Sequence, residues 1–311
     1  MSKTKIQWTQ HVWNCVRGCS MAKGSEAGGC LKCYAALQAA RNLPGMCSPT
    51  TGAPFAIMRD SGPRWTGEVE LIKSMLNIPL RRRKPTTYFV NSMSDLFHES
   101  LPDEAIDRVF AVMSLCPQHT FQVLTKRAAR LPQYFADLSY RTEIIGIYAE
   151  LMRGMDRYVR SGDDDRISPR WPLPLQKVWL GVSCEDQKTA DERVPLLLQT
   201  PAAVRFLSCE PLLSGLDLSK HLSPKQKLVN GAPFWVIVGG ESGPGARPCD
   251  LGWIRSIRDQ CAMAGVACFI KQLGADPRGG RIRLKLKDRK GGDMSEWPED
   301  VRLRQMPEVN R

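Results

Sequence analysis

The chain has 311 residues, 42 % hydrophobic and 24 % charged, and its 44 Lys and Arg against 32 Asp and Glu give a formal charge of +12. That composition is globular and excludes collagen-like, coiled-coil and disordered classes. No apolar run reaches the roughly 18 residues of a membrane helix, and the N-terminus lacks the apolar core of a signal peptide. A cytoplasmic protein with no membrane partner is therefore expected.

In chain order, a β-like stretch, Ile6-Gln-Trp-Thr-Gln10, precedes four cysteines spaced Cys15-x3-Cys19-x10-Cys30-x2-Cys33. The last of them runs into Ala35-Ala-Leu-Gln-Ala-Ala40, a strong helix former. Four consecutive cations follow, Arg81, Arg82, Arg83 and Lys84. Short apolar runs rich in β-branched and aromatic residues then recur at 87–91, 120–125, 178–183, 204–208, 234–239 and 266–271. Each reads as a strand buried on both faces, as in a parallel sheet. Helical patterns over 102–116, about 187–199 and 251–264 separate most of them, so the chain is built of βα units. Residues about 140–175 form an inserted excursion, first helical, then Ser161-Gly-Asp-Asp-Asp165 and the Pro-rich 169–174.

Polar groups stand just past the carboxyl end of every run. They include Ser92, Ser94 and Asp95; Thr125-Lys-Arg127; Ser183; Glu210; Gly239-Gly-Glu241-Ser242; and Lys271-Gln272. In parallel α/β sheets ligands bind at that rim. Ser and Asp also favour helix N-caps, so each taken alone has either reading, and the six together point to a common site.

In a reducing compartment clustered cysteines mean metal or redox chemistry rather than disulfides. Seven of the 11 (Cys47, Cys116, Cys184, Cys209, Cys249, Cys261 and Cys268) are scattered singly and read mostly as small buried hydrophobes. The clustered four allow two metal readings. Four thiolates would close a tetrahedral structural zinc site; three would bind a [4Fe–4S] cluster and leave one iron open. A cluster on the first βα loop would lie at the ligand-binding rim, which favours iron–sulfur over zinc.

The stretch Ile6-Gln-Trp-Thr, Trp13-Asn, Gly18-Cys19, Gly29-Cys30-Leu-Lys-Cys33-Tyr34-Ala35 resembles the N-terminus of a phage-associated family of unknown function within the radical S-adenosylmethionine (SAM) superfamily. The resemblance continues through Phe89-Val-Asn-Ser-Met-Ser-Asp-Leu-Phe97, Leu124-Thr-Lys-Arg127, Val178-Trp-Leu-Gly-Val-Ser183, Phe206-Leu-Ser-Cys-Glu-Pro-Leu212 and Val238-Gly-Gly-Glu-Ser-Gly243 to Gly291-Gly-Asp-Met-Ser-Glu-Trp-Pro298. The family pattern has cysteines at 19, 30 and 33 and not usually at 15, so the resemblance implies Cys19, Cys30 and Cys33 as cluster ligands, with Cys15 nearby or spare, or a fourth ligand. The ten-residue gap between Cys19 and Cys30 departs from the usual superfamily spacing, C-x3-C-x2-C. The resemblance implies a partial or complete (β/α) TIM-like barrel of the radical SAM type over 1–274. It also implies SAM bound at the open iron, cleavage of SAM to a 5′-deoxyadenosyl radical, an electron donor such as flavodoxin or ferredoxin, and the cytoplasm of a bacterial host if the chain is phage-encoded. Distant similarity to spore photoproduct lyase around Ser94 and Asp95 implies that this strand end faces the SAM ammonium, with Ser92, Ser183, Glu210, Glu241 and Ser242 as further candidates for SAM contact.

The net charge points to a polyanionic partner. Over 275–311, a basic C-terminal extension, Arg281, Arg283, Lys285 and Lys287 alternate with Ile282, Leu284 and Leu286. Period-two alternation predicts a half-buried strand with a cationic outer face, suited to phosphate contacts or to guarding a sheet edge. With Arg81, Arg82 and Arg83 it forms the candidate nucleic-acid surface, DNA being favoured over RNA. The leading expectation is a radical SAM enzyme modifying a nucleic-acid base, most plausibly by thymidine-type hypermodification of phage DNA. A pyrimidine photoproduct lyase and a zinc-stapled, non-catalytic nucleic-acid-binding protein are its rivals. His98 and His119 are read as structural, and Trp179 and Trp235 as core.

Overall fold

A computed structural model describes residues 4–25, 28–41, 45–155, 173–222 and 234–308. The protein is α/β. Seven strands follow one another in a parallel sheet in sequence order: β1 His11–Trp13, β2 Thr87–Val90, β3 Thr120–Thr125, β4 Val178–Ser183, β5 Val204–Cys209, β6 Phe234–Gly239 and β7 Ala267–Gln272. Helices lie between many of them: α1 Tyr34–Ala39, α2 Asp103–Ser114, α3 Arg130–Tyr134, α4 Leu138–Met155, α5 Gln187–Gln199 and α6 Leu251–Ala264. Sequential parallel strands with helical crossovers are the connectivity of a partial (β/α) barrel. Among the described residues no helix is long and apolar enough to cross a membrane.

The chain divides into two compact units. The first comprises 1–22, 33–179 and 200–203. Here β2 pairs in parallel with β1 (Trp13 beside Val90) and with β3 (Val90 beside Val123). Tyr88 stacks on Phe121 at 5.6 Å between centroids, and Trp13, Val90 and Phe121 are fully buried. An arginine of α4, Arg141, ties that helix to Asp103 and Asp107 of α2. A small hairpin, Ala56–Arg59 with Gly62–Trp65, brings Ala56 against Ala39 and Ala40 at the end of α1.

The second unit comprises 23–32, 180–199 and 204–311. All six residues of β5 and all six of β6 are buried, which explains why β6 reads as an unbroken apolar run and neither strand alternates. Arg205 is no exception: its stem lies in the core while Nε donates to the Leu197 carbonyl at 3.2 Å. Asp250 caps α6 by accepting from Gly252 N, and Gly265, at φ +66°, ends it in the left-handed conformation that glycine adopts readily. The C-terminal segment covers the outer edge of β7. Ile270 N donates to Leu303 O, Gln305 N donates to Cys268 O, both at 2.9 Å, and Trp297 is buried with Nε1 on the Gly291 carbonyl.

Three expectations change. The first strand lies at 11–13, not at 6–10, because the hydrogen-bonding partner for this end of the chain is β2 and Gln10 N already reaches Thr87 O. The segment 281–287 is strand only in part, although Leu284 and Leu286 are half-buried and Arg281, Arg283, Lys285 and Lys287 exposed, as the alternation implies. Only Ile282–Arg283 (β9) pairs, with Pro277–Gly279 (β8), and Ile282 is 75 % exposed. Past Arg283, Leu284 N donates to Pro277 O at 2.8 Å, and among the described residues the strand goes no further. In the inserted excursion the helical part is α4, starting at Leu138; Ser161–Asp165 and most of 169–174 lie outside the described residues.

Candidate functional site at the strand ends

In the first unit the ends of β1, β2 and β3 are fastened to one another by side chains. Asn91 follows β2 with φ +62°, a left-handed conformation asparagine tolerates. Its Oδ1 accepts from Val16 N at 3.0 Å and from the Cys15 thiol at 3.6 Å. Cys15 is wholly buried, and burial pushes its thiol far above the ordinary range. Ser92 Oγ donates to Asn14 Oδ1 (3.1 Å), and the Ser92 carbonyl accepts from Tyr34 Oη (2.8 Å). Ser94 Oγ donates to the Val16 carbonyl (2.7 Å), and Ser94 bridges to Gly18 through the backbone.

Asp95 is buried with both oxygens engaged. Oδ1 accepts from Phe97 N and Thr125 Oγ1; Oδ2 accepts from Lys126 N and Arg127 Nη1 at 3.2 Å. The Arg127 side chain, 4 % exposed, also donates to Glu99 (2.7 Å) and, through Nη2, to Ser20 O and Oγ (both 3.0 Å). The Cys19 thiol donates to that same Ser20 carbonyl at 3.3 Å. His98 Nε2 lies 2.8 Å from Ser20 Oγ, and burial pushes its imidazole below the ordinary histidine range. Burial raises Glu99, but the Arg127 hydrogen bond and charge, a backbone hydrogen bond and the His98 charge together hold that carboxyl below its ordinary range. Cys19 and Cys33 are both half-buried; Cys33 is the N-cap of α1.

In the second unit Ser183 is buried, and its carbonyl accepts from Arg193 Nη1 (2.8 Å). Arg193, itself buried, also binds Glu185 (3.1 Å) and Ser25 Oγ (2.6 Å). Glu210, after β5, accepts from Lys271 Nζ of β7 at 3.0 Å. A Cβ on Gly240 would stand 2.3 Å from the Leu273 carbonyl, so the Gly-Gly pair exists to let the chain after β6 meet the chain after β7. Glu241 binds Arg247 in two-pronged fashion, Nη2 at 2.6 Å and Nε at 3.0 Å. Arg247 also donates to the Gly28 carbonyl, and Lys32 to the Gly245 carbonyl. Cys30 is half-buried, and Ser242 is exposed.

Ser92, Ser94 and Asp95 thus gather around the segment that carries Cys19, whereas Ser183, Glu210 and Glu241 each answer to a different basic partner. Arg127, Arg193 and Arg247 organise all of this, and sequence reasoning did not single them out as site residues. Arg127 had a signal, its place two residues beyond the end of β3 in Leu124-Thr-Lys-Arg127. Arg193 and Arg247 had none, because sequence position past a strand end does not mark them. Of the cationic residues, Arg281, Lys285, Lys287, Arg81 and Arg83 are exposed. Arg283 pairs with Asp276, and the half-buried Arg82 has Nη2 3.0 Å from His11 Nε2.

Among the described residues no three His, Cys, Asp or Glu are drawn together as a metal-ion ligand set. The donor chemistry nonetheless fits an iron–sulfur group: three half-buried thiols outside any disulfide stand in the motif, and the fourth is buried, which pushes its thiol up.

The model of the family DUF5131, described as a protein of unknown function, matches residues 3–297. The chain belongs to this family. No match was found among curated proteins or among solved structures.

Proposed function

We propose that this DUF5131 protein is a radical SAM enzyme that holds a [4Fe–4S] cluster through Cys19, Cys30 and Cys33 and modifies a base in nucleic acid, with DNA as the substrate polymer. One observation carries this reading: of the four clustered cysteines, Cys15 alone is fully buried, while the other three are half-buried. A three-thiolate set leaves one iron open to a small molecule. A structural zinc site would instead enlist all four. When bound, the cluster would supply the electron that cleaves SAM. Around it the chain's task is to hold the cysteine segment and the strand ends still and to keep water from the reacting atoms. Ser92 and Ser94 belong to the hydrogen-bonded strand ends beside the Cys19 segment, and flavodoxin or ferredoxin would deliver electrons.

The test is anaerobic reconstitution with iron and sulfide. A brown protein that releases 5′-deoxyadenosine from SAM under dithionite is expected. A colourless protein carrying one zinc per chain would sink the proposal.

The polymer partner has its own check. Arg281, Lys285 and Lys287 are exposed, and Arg283 is partly neutralised by Asp276. Every duplex phosphate that the protein ceases to neutralise should lower the slope of log affinity against log salt by about 0.9. Replacing all four by Gln should therefore reduce that slope by about two or more, while iron content stays the same. Unchanged affinity and slope would remove this surface from the DNA-binding account.

A further inference from the structure

Of the three acids that strand-end logic aims at a ligand, Asp95 and Glu241 are engaged by arginines and Glu210 by Lys271. We propose that Arg127 and Arg247 are positioning residues for the cysteine segment, Arg127 fastening the part that carries Cys19 and Arg247 the part that carries Cys30. The purpose of the clamps rests on the iron–sulfur reading above; the clamps themselves do not depend on any metal.

The segment needs such fastening. Between Arg17 and the start of α1 at Tyr34 the described residues form neither helix nor strand, so few main-chain ladders hold the backbone, and side chains must supply the partners. In the first unit Arg127 uses all three nitrogens. Nε is on Glu99, Nη1 on Asp95, and Nη2 on both oxygens of Ser20. A planar guanidinium held at two points by acids has one direction left for its remaining donors. That direction is the Ser20 carbonyl, which the Cys19 thiol also uses. In the second unit Glu241 takes Nε, Nη2 and the backbone N of Arg247, leaving the guanidinium edge against Gly28 O at 3.3 Å, two residues before Cys30. Arg193 on Ser25 Oγ steadies the same stretch.

Each arrangement has the same logic: an acid past a strand end orients an arginine, and the arginine holds a carbonyl beside a cysteine. Holding the thiols in place beforehand reduces the ordering cost of assembling a three-thiolate site. The motifs Phe89–Phe97 and Leu124–Arg127 acquire a role in this way, since they contribute Asp95 and Arg127 to one clamp.

The test uses metal-free full-length protein with Arg127→Gln and Arg247→Gln, read by hydrogen–deuterium exchange on peptides. Loss of a charge-assisted bond corresponds to roughly tenfold or more in local opening. Arg127→Gln should raise exchange over residues 18–21 about that much and leave 24–32 unchanged; Arg247→Gln should do the reverse. Lysine at either position should not rescue, because an ammonium cannot span the acid and the carbonyl as a fork does. Ser20→Ala, which keeps both acids on Arg127, and Glu241→Gln, beside the partly exposed Arg247, serve if a glutamine variant does not fold. A second readout on reconstituted protein is the rate of iron loss to a chelator, expected to rise in both variants. Unaltered exchange, exchange that rises across both segments in both variants, or full rescue by lysine would each overturn the clamps. Localised exchange with unaltered iron loss would overturn their positioning role. Wild-type protein that takes up no iron would instead overturn the iron–sulfur reading, while the exchange result still decides the clamps.

Discussion

Cys19→Ala, Cys30→Ala and Cys33→Ala should each abolish iron retention, whereas Cys15→Ala should leave it close to the wild-type level. A cluster held by three thiolates has no spare ligand, so removing any one exposes an iron to solvent and exchange. Cys15 stands apart for a physical reason. It is fully buried and hydrogen-bonded to Asn91, and burial pushes its thiol up, against the thiolate form that binds metal. Its replacement should register in stability instead, at about 1 to 2 kcal/mol for the small cavity and the broken hydrogen bond. Iron and sulfide per chain, with the thermal midpoint measured alongside, separate the two effects. Equal loss of iron in all four variants would indicate a four-thiolate site, and iron retained in Cys30→Ala would break the ligand assignment at its long-spaced member.

The sheet was legible because its strands are buried on both faces. Phe234–Gly239 is a continuous apolar stretch that no amphipathic helix would produce, and Val204–Cys209 is buried throughout although it carries Arg205 and Ser208. The edges were not legible. His11–Trp13 has three residues, one of them polar, and is a strand only because β2 lies beside it; the sequence signal at Ile6–Gln10 looked better, yet it forms no strand and its backbone reaches β2 at Gln10. At Ile282–Arg283 a strict alternation promised a longer strand, but alternation specifies faces and not partners, and only β8 is there to pair.

The same distinction governs the site. Position past a strand end identified Asp95, Glu210 and Glu241 as acids of the rim. It did not say what they face, because Arg127 lies 32 residues from Asp95 and Lys271 lies 61 from Glu210. An isolated buried carboxylate is costly, so a basic partner was to be expected somewhere. Which one, and the carbonyls of Ser20 and Gly28 beyond it, emerges only from the fold.

Gly18→Ala should be the most damaging small substitution near the candidate site. Gly18 has φ +84°, and a Cβ built there would stand 1.9 Å from the Glu68 carbonyl oxygen and 2.7 Å from the Phe55 ring. Neither neighbour yields easily, since one is backbone and Phe55 is 1 % exposed. Gly18 also bridges to Ser94, so retreat in the other direction breaks that pairing. Left-handed strain and overpacking together should cost about 3 kcal/mol or more, lowering the thermal midpoint by roughly 6 to 12 °C. Gly52→Ala provides the control: its φ of +74° imposes similar strain, yet nothing lies within 4 Å of its would-be Cβ, so only about 1 kcal/mol is expected. Because Cys19 follows directly, whatever displacement relieves the Gly18 clash moves the thiol as well, and Gly18→Ala should lose iron at temperatures where it is still folded. Equal midpoints for the two alanine variants would mean that the close approach of Gly18 to Glu68 does not exist in solution.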